Sequence, residues 1–291
     1  MISGSLVALI TPFQADGSVD FEALDRLVEW HIDQGTHGIV VVGTTGEATT
    51  LTNDELLSVI SRCVAIANGR VPVIAGTGAN ATPKAIELTR QAAEAGVDAC
   101  LVVTPYYIKP TQRGMHAHFT AIADACDIDV ILYNVPGRTG VDLQNATVLE
   151  LSRHPRIVGI KDATGDVDRG AELTSLVSDD FAVYSGDDAT AVELIAHGAK
   201  GNISVTANVQ PKLMSKAVEA ALSGDRDLAH TINAKLMRLH TDLFVESNPI
   251  PVKYAVSQLG LCANELRLPL TPLDDQYKNK IDEALKAAVD H

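Results

Sequence analysis

The chain has 291 residues and a formal net charge of −14, with 37 acidic against 23 basic residues. The chain has no cluster of lysine and arginine residues that would indicate a nucleic-acid partner. No apolar run reaches the roughly 20 residues that a membrane-spanning helix needs. Four scattered cysteines without a C-x-x-C pair, and an N-terminus without a basic region, predict a cytoplasmic protein without disulfides or a zinc framework.

Short apolar runs alternate with helical patterns along the first two thirds of the chain. Each gap between the runs has room for one helix and two short loops, which predicts an α/β fold with a parallel sheet. Eight such units favour a (β/α)8 TIM barrel. An open doubly wound sheet stays as the alternative, because the number of units does not prove closure. The predicted strands lie near residues 5–10, 38–42, 71–75, 99–104, 129–133, 157–161, 182–185 and 200–205.

Three helix starts can be predicted from their capping residues. An amphipathic helix begins after Asp20, where apolar residues recur at helical spacing. Thr52 and Glu55 form a capping box, in which each side chain satisfies a backbone amide of the other residue. Thr82 followed by Pro83 predicts an N-cap with proline at the first helical position.

Residues beyond about 207 show helical patterns only. They predict the last barrel helix followed by an appended helical segment. We place the catalytic barrel at residues 1–222 and a C-terminal helical extension at residues 223–291. No proline- or glycine-rich linker separates the two parts, so we expect them to form one folding unit.

The residues at the predicted strand ends are rich in hydroxyl groups and include one lysine and one arginine. In barrels of this kind the chemistry lies at the C-terminal ends of the strands. Histidine and carboxylate clusters with the spacing of metal ligands are missing from these positions, so no metal site is predicted. The strand-end segments are GTTGE (43–47), GTGAN (76–80), TPYY (104–107), YNVPGRTG (133–140), Lys161 and SGDD (185–188).

Lys161 ends the apolar run IVGIK, where a charged ammonium group is poorly solvated. Such surroundings favour the neutral amine, which attacks carbonyl groups to form a Schiff base. The alternative is structural: Lys161 pairs with the adjacent Asp162, or extends its ammonium group to solvent at the barrel rim. The residues alone leave both interpretations open.

Two further interpretations concern function. Gly76-x-Gly78-x-x-Ala81 matches the dinucleotide-binding pattern after a strand, but the acidic residue expected at the end of the next strand is missing. A non-catalytic barrel that binds a small acid is the other alternative, and it predicts that the bound acid forms no covalent adduct with Lys161.

Taken together, the motifs resemble those of the dihydrodipicolinate synthase family of pyruvate-dependent class I aldolases. Related lyases share single motifs such as the GIK sequence, whereas the whole set in this order is specific. The resemblance extends over nearly the whole chain. It rests on GSLVALITPF (4–13), GTTGE (43–47), TPYY (104–107), YNVPGRTG (133–140), GIKDATG (159–165), SGDD (185–188), ISVTAN (203–208), VESNPIPVK (245–253) and LRLPLTP (266–272).

This resemblance implies a carbon–nitrogen lyase of the diaminopimelate route to L-lysine, which condenses pyruvate with L-aspartate 4-semialdehyde. Lys161 would form the imine with pyruvate. Thr44, Tyr133 and Tyr107 would form a proton relay, with Tyr107 reaching in from a neighbouring subunit of a homotetramer. No metal or organic cofactor is implied.

The same resemblance implies how the substrates are held. Thr45 would bind the pyruvate carboxylate, with main-chain contacts from Gly186 and Ile203. Arg138 would bind the carboxylate of the aldehyde substrate. Family members that cleave N-acetylneuraminate or 2-oxo-3-deoxy sugar acids generally lack this arginine, so Arg138 favours the synthase over these alternatives.

An effector site known in lysine-inhibited members is degenerate in this chain. Asn80 and Tyr106 remain, but Asn53 and Leu56 stand where such members usually have histidines, and Lys84 stands in place of a glutamate. Lys84 would repel the ammonium groups of a lysine effector. We therefore expect inhibition by L-lysine to be weak or absent.

Overall fold

A computed structural model describes residues 1–288. The last three positions of the predicted extension, 289–291, lie outside the described residues. Among residues 1–288, no helix is long and apolar enough to cross a lipid bilayer. Three of the four cysteines are buried and Cys262 is half-buried, and all four are free thiols.

Eight parallel strands form a closed barrel in which each strand pairs with the next and β8 pairs with β1. This last pairing confirms the predicted TIM barrel and excludes the open doubly wound sheet. All eight predicted strands are present within a few residues of their expected positions. The strands are β1 Gly4–Ala8, β2 Gly38–Val41, β3 Val73–Gly76, β4 Ala99–Val103, β5 Val130–Asn134, β6 Ile157–Asp162, β7 Ala182–Ser185 and β8 Gly201–Ser204.

Helices alternate with the strands, and three more follow the helix after β8. Of these three, the first packs against that last barrel helix and the third packs against the first. The helix after β8 ends at Leu222, and the division of the chain into barrel and extension after residue 222 stays a prediction. The helices are α1 Phe21–Asp33, α2 Asn53–Ala67, α3 Thr82–Glu94, α4 Gln112–Ala125, α5 Pro136–Thr139, α6 Asn145–Leu151, α7 Val167–Leu176, α8 Ala191–Ala196, α9 Pro211–Leu222, α10 Arg226–Asp242, α11 Ile250–Gln258 and α12 Asp275–Ala287.

The core has two layers because successive strand residues point to opposite faces of the barrel wall. The outer layer lies between strands and helices. The inner layer fills the barrel with side chains such as Leu6, Val40, Ile74 and Ile131. Each fully buried leucine or isoleucine contributes about 1.5–3 kcal/mol relative to an exposed one. The interior of the barrel is therefore packed with side chains, and a substrate can bind only at the end of the barrel.

Two of the three predicted helix starts are confirmed. The Asp20 carboxylate accepts a hydrogen bond from the Ala23 amide at the start of α1, and the capping box before α2 is complete. The third prediction is wrong, because Ala81 occupies the N-cap position of α3 and Thr82 is its first helical residue. The Thr82 hydroxyl is hydrogen-bonded to His118 Nδ1 at 2.9 Å, so it binds a neighbouring helix instead of its own.

Candidate active site

A cavity of about 410 Å³ opens at the C-terminal end of the barrel. Its wall includes four of the predicted site residues: Thr44, Tyr133 and Arg138 of the catalytic and substrate-binding set, and Tyr106 of the predicted effector site. Residues of the C-terminal extension complete the wall on one side, which the sequence did not predict. These are Ser247, Asn248, Pro249, Pro269 and Leu270.

Lys161 is the next-to-last residue of β6 and its side chain is 6% exposed. Its Nζ lies 4.5 Å from the centroid of the Tyr133 ring, over the negative face that attracts cations. The Asp162 carboxylate is engaged elsewhere, because it accepts hydrogen bonds from Arg169 Nε and from the Thr164 amide. The amine of Lys161 is thus buried beside a tyrosine at the barrel end, and neither a pair with Asp162 nor extension to solvent describes it.

Gly186 follows β7 and lies directly against Lys161. A Cβ atom at this position would stand 2.9 Å from Lys161 Cε and 2.6 Å from the Ala163 Cβ, so only glycine leaves room for the lysine side chain. The Gly186 amide donates to the Asp162 carbonyl at 2.7 Å. Ile203 in β8 is 1% exposed and belongs to the inner layer of the barrel. Gly186 therefore contacts the lysine from the neighbouring strand, whereas Ile203 lies one strand further along the barrel.

The loop after β2 carries Thr44 and Thr45 in a tight turn. The Glu47 amide donates to the Thr44 carbonyl at 3.1 Å, and Glu47 has a left-handed backbone with φ 53°. Thr44 lines the cavity, whereas Thr45 is 3% exposed. The Thr45 hydroxyl accepts a hydrogen bond of 3.0 Å from Asn248 Nδ2, so the extension reaches this turn directly.

The Glu47 side chain is fully buried and forms an ion pair with Lys253 of α11, which is also fully buried. Burial lowers the pKa of the Lys253 ammonium group, while the charge and hydrogen bond of Glu47 oppose this effect. Lys253 Nζ also lies 4.2 Å from the centroid of the Phe13 ring. The ion pair therefore links the β2 loop to α11 of the extension.

Arg138 lies in the short helix α5 and extends along the cavity wall. Its guanidinium donates from Nη2 to the Asn248 main-chain oxygen at 3.1 Å. Arg138 is exposed and lines the cavity, so its other guanidinium N–H groups are accessible to a ligand. An arginine placed in this way is suited to bind a carboxylate with two parallel hydrogen bonds.

Tyr107 does not line the cavity of its own chain. It is 87% exposed and has a left-handed backbone, with φ 74°. Its amide donates to the Thr139 carbonyl at 3.2 Å, which holds the strained turn in place. Tyr106, in contrast, is half-buried and lines the cavity. A strained and exposed aromatic residue beside a cavity is typical of a functional position.

The five positions of the predicted effector site have different surroundings. Asn53 and Lys84 are exposed, and Asn80 is half-buried. Leu56 is 7% exposed and packs within the outer core layer. Of the five, Tyr106 alone lines the cavity, and the effector site itself stays a prediction.

Gly76 and Gly78, which suggested a dinucleotide site, have a packing role. A Cβ atom on Gly76 would lie 2.4 Å from the Val42 carbonyl oxygen, and one on Gly78 would lie 2.5 Å from the Val103 amide nitrogen. Both glycines thus allow neighbouring strand ends to approach closely, and this explains the motif without a bound nucleotide. Within residues 1–288, no three histidine, cysteine, aspartate or glutamate side chains are arranged to hold a metal ion.

Comparison with known proteins identifies the family of the chain. The chain matches the dihydrodipicolinate synthetase family over residues 1–288. The chain belongs to this family. It is 57% identical over 286 residues to 4-hydroxy-tetrahydrodipicolinate synthase of Alcanivorax borkumensis, covering 98% of this chain and 97% of the relative. It is also 57% identical over 288 residues to the same enzyme of Nitrosomonas europaea, covering 99% of both chains.

The dihydrodipicolinate synthetase family is also represented by solved structures that resemble this one. The chloride-inhibited dihydrodipicolinate synthase of Acinetobacter baumannii, crystallised with pyruvate, is 56% identical with a TM-score of 0.98, over 99% of both chains. The enzyme of Aquifex aeolicus is 48% identical with a TM-score of 0.96, over 98% of this chain and 97% of the other. The resemblance inferred from the motifs is thereby confirmed.

Sequence reasoning missed two residues of the site, Asn248 and Lys253. Asn248 lies between α10 and α11 in a segment without periodicity, and no local pattern announces its contact with the β2 loop. Lys253 had a detectable signal, because it lies in a helix whose residues from Ile250 to Val256 are all buried. A lysine within such an apolar helix predicts a buried ion pair.

Proposed function

We propose that this protein catalyses the reaction of 4-hydroxy-tetrahydrodipicolinate synthase, the condensation of pyruvate with L-aspartate 4-semialdehyde on the diaminopimelate route to L-lysine. The observation that carries the proposal is the buried amine of Lys161, which lies 4.5 Å from the centroid of the Tyr133 ring. Tyr133 and Arg138 both line the cavity at this end of the barrel. Identities of 56–57% to enzymes with this name support the same reaction.

Lys161 begins the reaction as a nucleophile. Its neutral amine attacks the ketone carbon of pyruvate, and loss of water gives an imine. The imine withdraws electrons, so a proton leaves the methyl group and an enamine forms. Lys161 is 6% exposed, so its amine lies inside the barrel end and not in bulk solvent. Thr45 binds the pyruvate carboxylate, while Gly186 and Ile203 offer main-chain contacts nearby.

The second half of the reaction joins the two substrates. The enamine carbon attacks the aldehyde carbon of the second substrate, whose carboxylate is bound by Arg138. Tyr133 and Thr44 transfer protons during the condensation, together with Tyr107. The amino group of the second substrate then attacks the imine carbon, which closes the ring and releases the Lys161 amine. The water lost in forming the imine is the only by-product, and the released lysine amine regains its proton, so the reaction needs no cofactor.

The protein acts in the cytoplasm as a homotetramer in this proposal. Tyr107 would enter the site of a neighbouring subunit, because its ring is 87% exposed and does not line the cavity of its own chain. The adjacent Ile108 is 57% exposed, and two large apolar side chains at one turn favour an interface between subunits.

The test compares wild type with Lys161→Ala, and Lys212→Ala serves as the matched control because Lys212 is exposed on α9. Product formation from both substrates is measured, and intact mass is recorded after borohydride reduction with pyruvate. Wild type and the control should form product and a reduced adduct, and Lys161→Ala should do neither.

An adduct that persists in Lys161→Ala would refute the assigned nucleophile. An adduct in wild type without condensation of L-aspartate 4-semialdehyde would refute the substrate and indicate a related lyase, such as one acting on N-acetylneuraminate or a 2-oxo-3-deoxy sugar acid. Pyruvate binding without any adduct would indicate a non-catalytic barrel.

A further inference from the structure

Asn248 contacts two of the substrate-binding residues at once. It belongs to the C-terminal extension, is 6% exposed and lines the cavity. Its side-chain Nδ2 donates to Thr45 Oγ1 at 3.0 Å, across 203 residues of sequence. Its main-chain oxygen accepts from Arg138 Nη2 at 3.1 Å. One residue therefore contacts both Thr45 and Arg138.

The direction of the hydrogen bond between Asn248 and Thr45 determines what the threonine hydroxyl can do. A hydroxyl has one proton to donate and two lone pairs. Since the amide nitrogen of Asn248 donates to Thr45 Oγ1, the hydroxyl proton stays available for an anion. The reverse orientation of the amide would make Thr45 donate its only proton to Asn248, and the hydroxyl could then not donate to a carboxylate.

The polypeptide around Asn248 is fixed close to the same loop. Five residues along the chain, Lys253 forms its fully buried ion pair with Glu47, which lies two residues beyond Thr45. The Arg267 amide also donates to Glu47 Oε2, at 3.4 Å. The extension thus contacts the β2 loop at Glu47 and at Thr45. Of these contacts, the one from the side-chain amide of Asn248 reaches a substrate-binding side chain, Thr45.

We propose that Asn248 is a positioning residue for the condensation, whose side chain directs the Thr45 hydroxyl proton to the pyruvate carboxylate while its main-chain oxygen holds the Arg138 guanidinium. The inference rests on the proposed function, in which Thr45 and Arg138 bind the two substrates. Because the two contacts use different parts of the residue, a change of the side chain disturbs Thr45 and leaves the contact to Arg138 in place.

The test is steady-state kinetics of Asn248→Ala and Asn248→Asp. Loss of one neutral hydrogen bond corresponds to a rise of about 3–10-fold in KM for pyruvate, with kcat and KM for L-aspartate 4-semialdehyde changed less than about 2-fold. The aspartate has nearly the same shape, but its carboxylate is an acceptor that takes the Thr45 proton and repels pyruvate. We expect KM for pyruvate to rise more than about 10-fold in Asn248→Asp.

Two comparisons separate positioning from a general structural effect. Asn233→Ala removes another buried asparagine of the extension, which is hydrogen-bonded to His240 and does not line the cavity. It should leave KM for pyruvate unchanged even if Tm falls. In a Thr45→Val background, where no hydroxyl remains to be directed, Asn248→Ala should add no further rise in KM.

The proposal is overturned if Asn248→Ala leaves KM for pyruvate unchanged, raises both KM values equally, or has the same effect with valine at position 45. These results differ from failure of the proposed function, in which wild type itself forms no product from the two substrates.

Discussion

The buried ion pair between Lys253 and Glu47 makes a quantitative prediction about stability. Both side chains are fully buried, so removal of the lysine leaves the Glu47 carboxylate without its ion-pair partner. Lys253→Met keeps the apolar volume and removes only the charge and its contact with the Phe13 ring, 4.2 Å away. The unpaired carboxylate relieves its penalty by taking up a proton, which costs a free glutamate roughly 3.7 kcal/mol at pH 7. We therefore expect the free energy of unfolding to fall by about 3–4 kcal/mol.

The pH dependence of this defect follows from the same reasoning. In the variant the folded state binds a proton at pH 7 that the unfolded state releases, so its stability relative to wild type improves as the pH falls. At pH 5 protonation of a glutamate costs only about 1 kcal/mol. The defect of Lys253→Met should thus be smaller at pH 5 than at pH 7 by roughly 2.5 kcal/mol.

Urea unfolding of wild type and variants, followed by circular dichroism at pH 7 and pH 5, measures both quantities. The double variant Glu47→Gln with Lys253→Met contains no buried charge and should regain most of the lost stability. Lys278→Met removes a partner of the exposed Asp275 and should change little. A loss below about 1 kcal/mol in the single variant, or an equal loss at both pH values, would refute the reasoning.

Two other predictions concern titration and regulation. Burial lowers the pKa of His31 from 6.5 to about 3. Between these pH values the unfolded state binds a proton that the folded state excludes. The stability present above pH 6.5 is therefore lost as the pH falls towards 3. His31→Leu should reduce the slope of unfolding free energy in this window by up to about 1.4 kcal/mol per pH unit; an unchanged slope in urea titrations would contradict the assignment. L-Lysine should inhibit weakly or not at all, because the exposed Lys84 repels its ammonium groups; half-inhibition at micromolar lysine in a steady-state assay would show otherwise.

The barrel could be predicted because its strands are buried on both faces. Runs such as GIVV in β2 and ACLVV in β4 are apolar throughout, and this pattern survives in the sequence without knowledge of any partner. Lys161 could be found for the opposite reason, since an ionisable residue interrupts an apolar run. Closure of the barrel was not predictable in the same way, because it depends on the pairing of β1 with β8 across the whole fold.

The part of the site contributed by the extension could not be predicted from local patterns. The hydrogen bond from Asn248 to Thr45 depends on how a segment between two helices lies over the barrel, and an asparagine before a proline indicates only a turn. The predicted N-cap of α3 was wrong for a related reason. Thr82 has the side chain of an N-cap, but its hydroxyl is engaged by His118 of the neighbouring helix.

The contacts between the β2 loop and the extension also set an order of events during synthesis of the chain. Thr45 and Asn248 are 203 residues apart, and Glu47 and Lys253 are 206 apart. A ribosome that adds 5–20 residues per second needs roughly 10–40 s to make the intervening chain. Throughout that interval the Glu47 carboxylate has no Lys253 to pair with, and the Thr45 hydroxyl has no amide to orient it. A nascent chain that has just completed its eight strands therefore carries Lys161, Tyr133 and Arg138 but still waits for the residues that finish their surroundings.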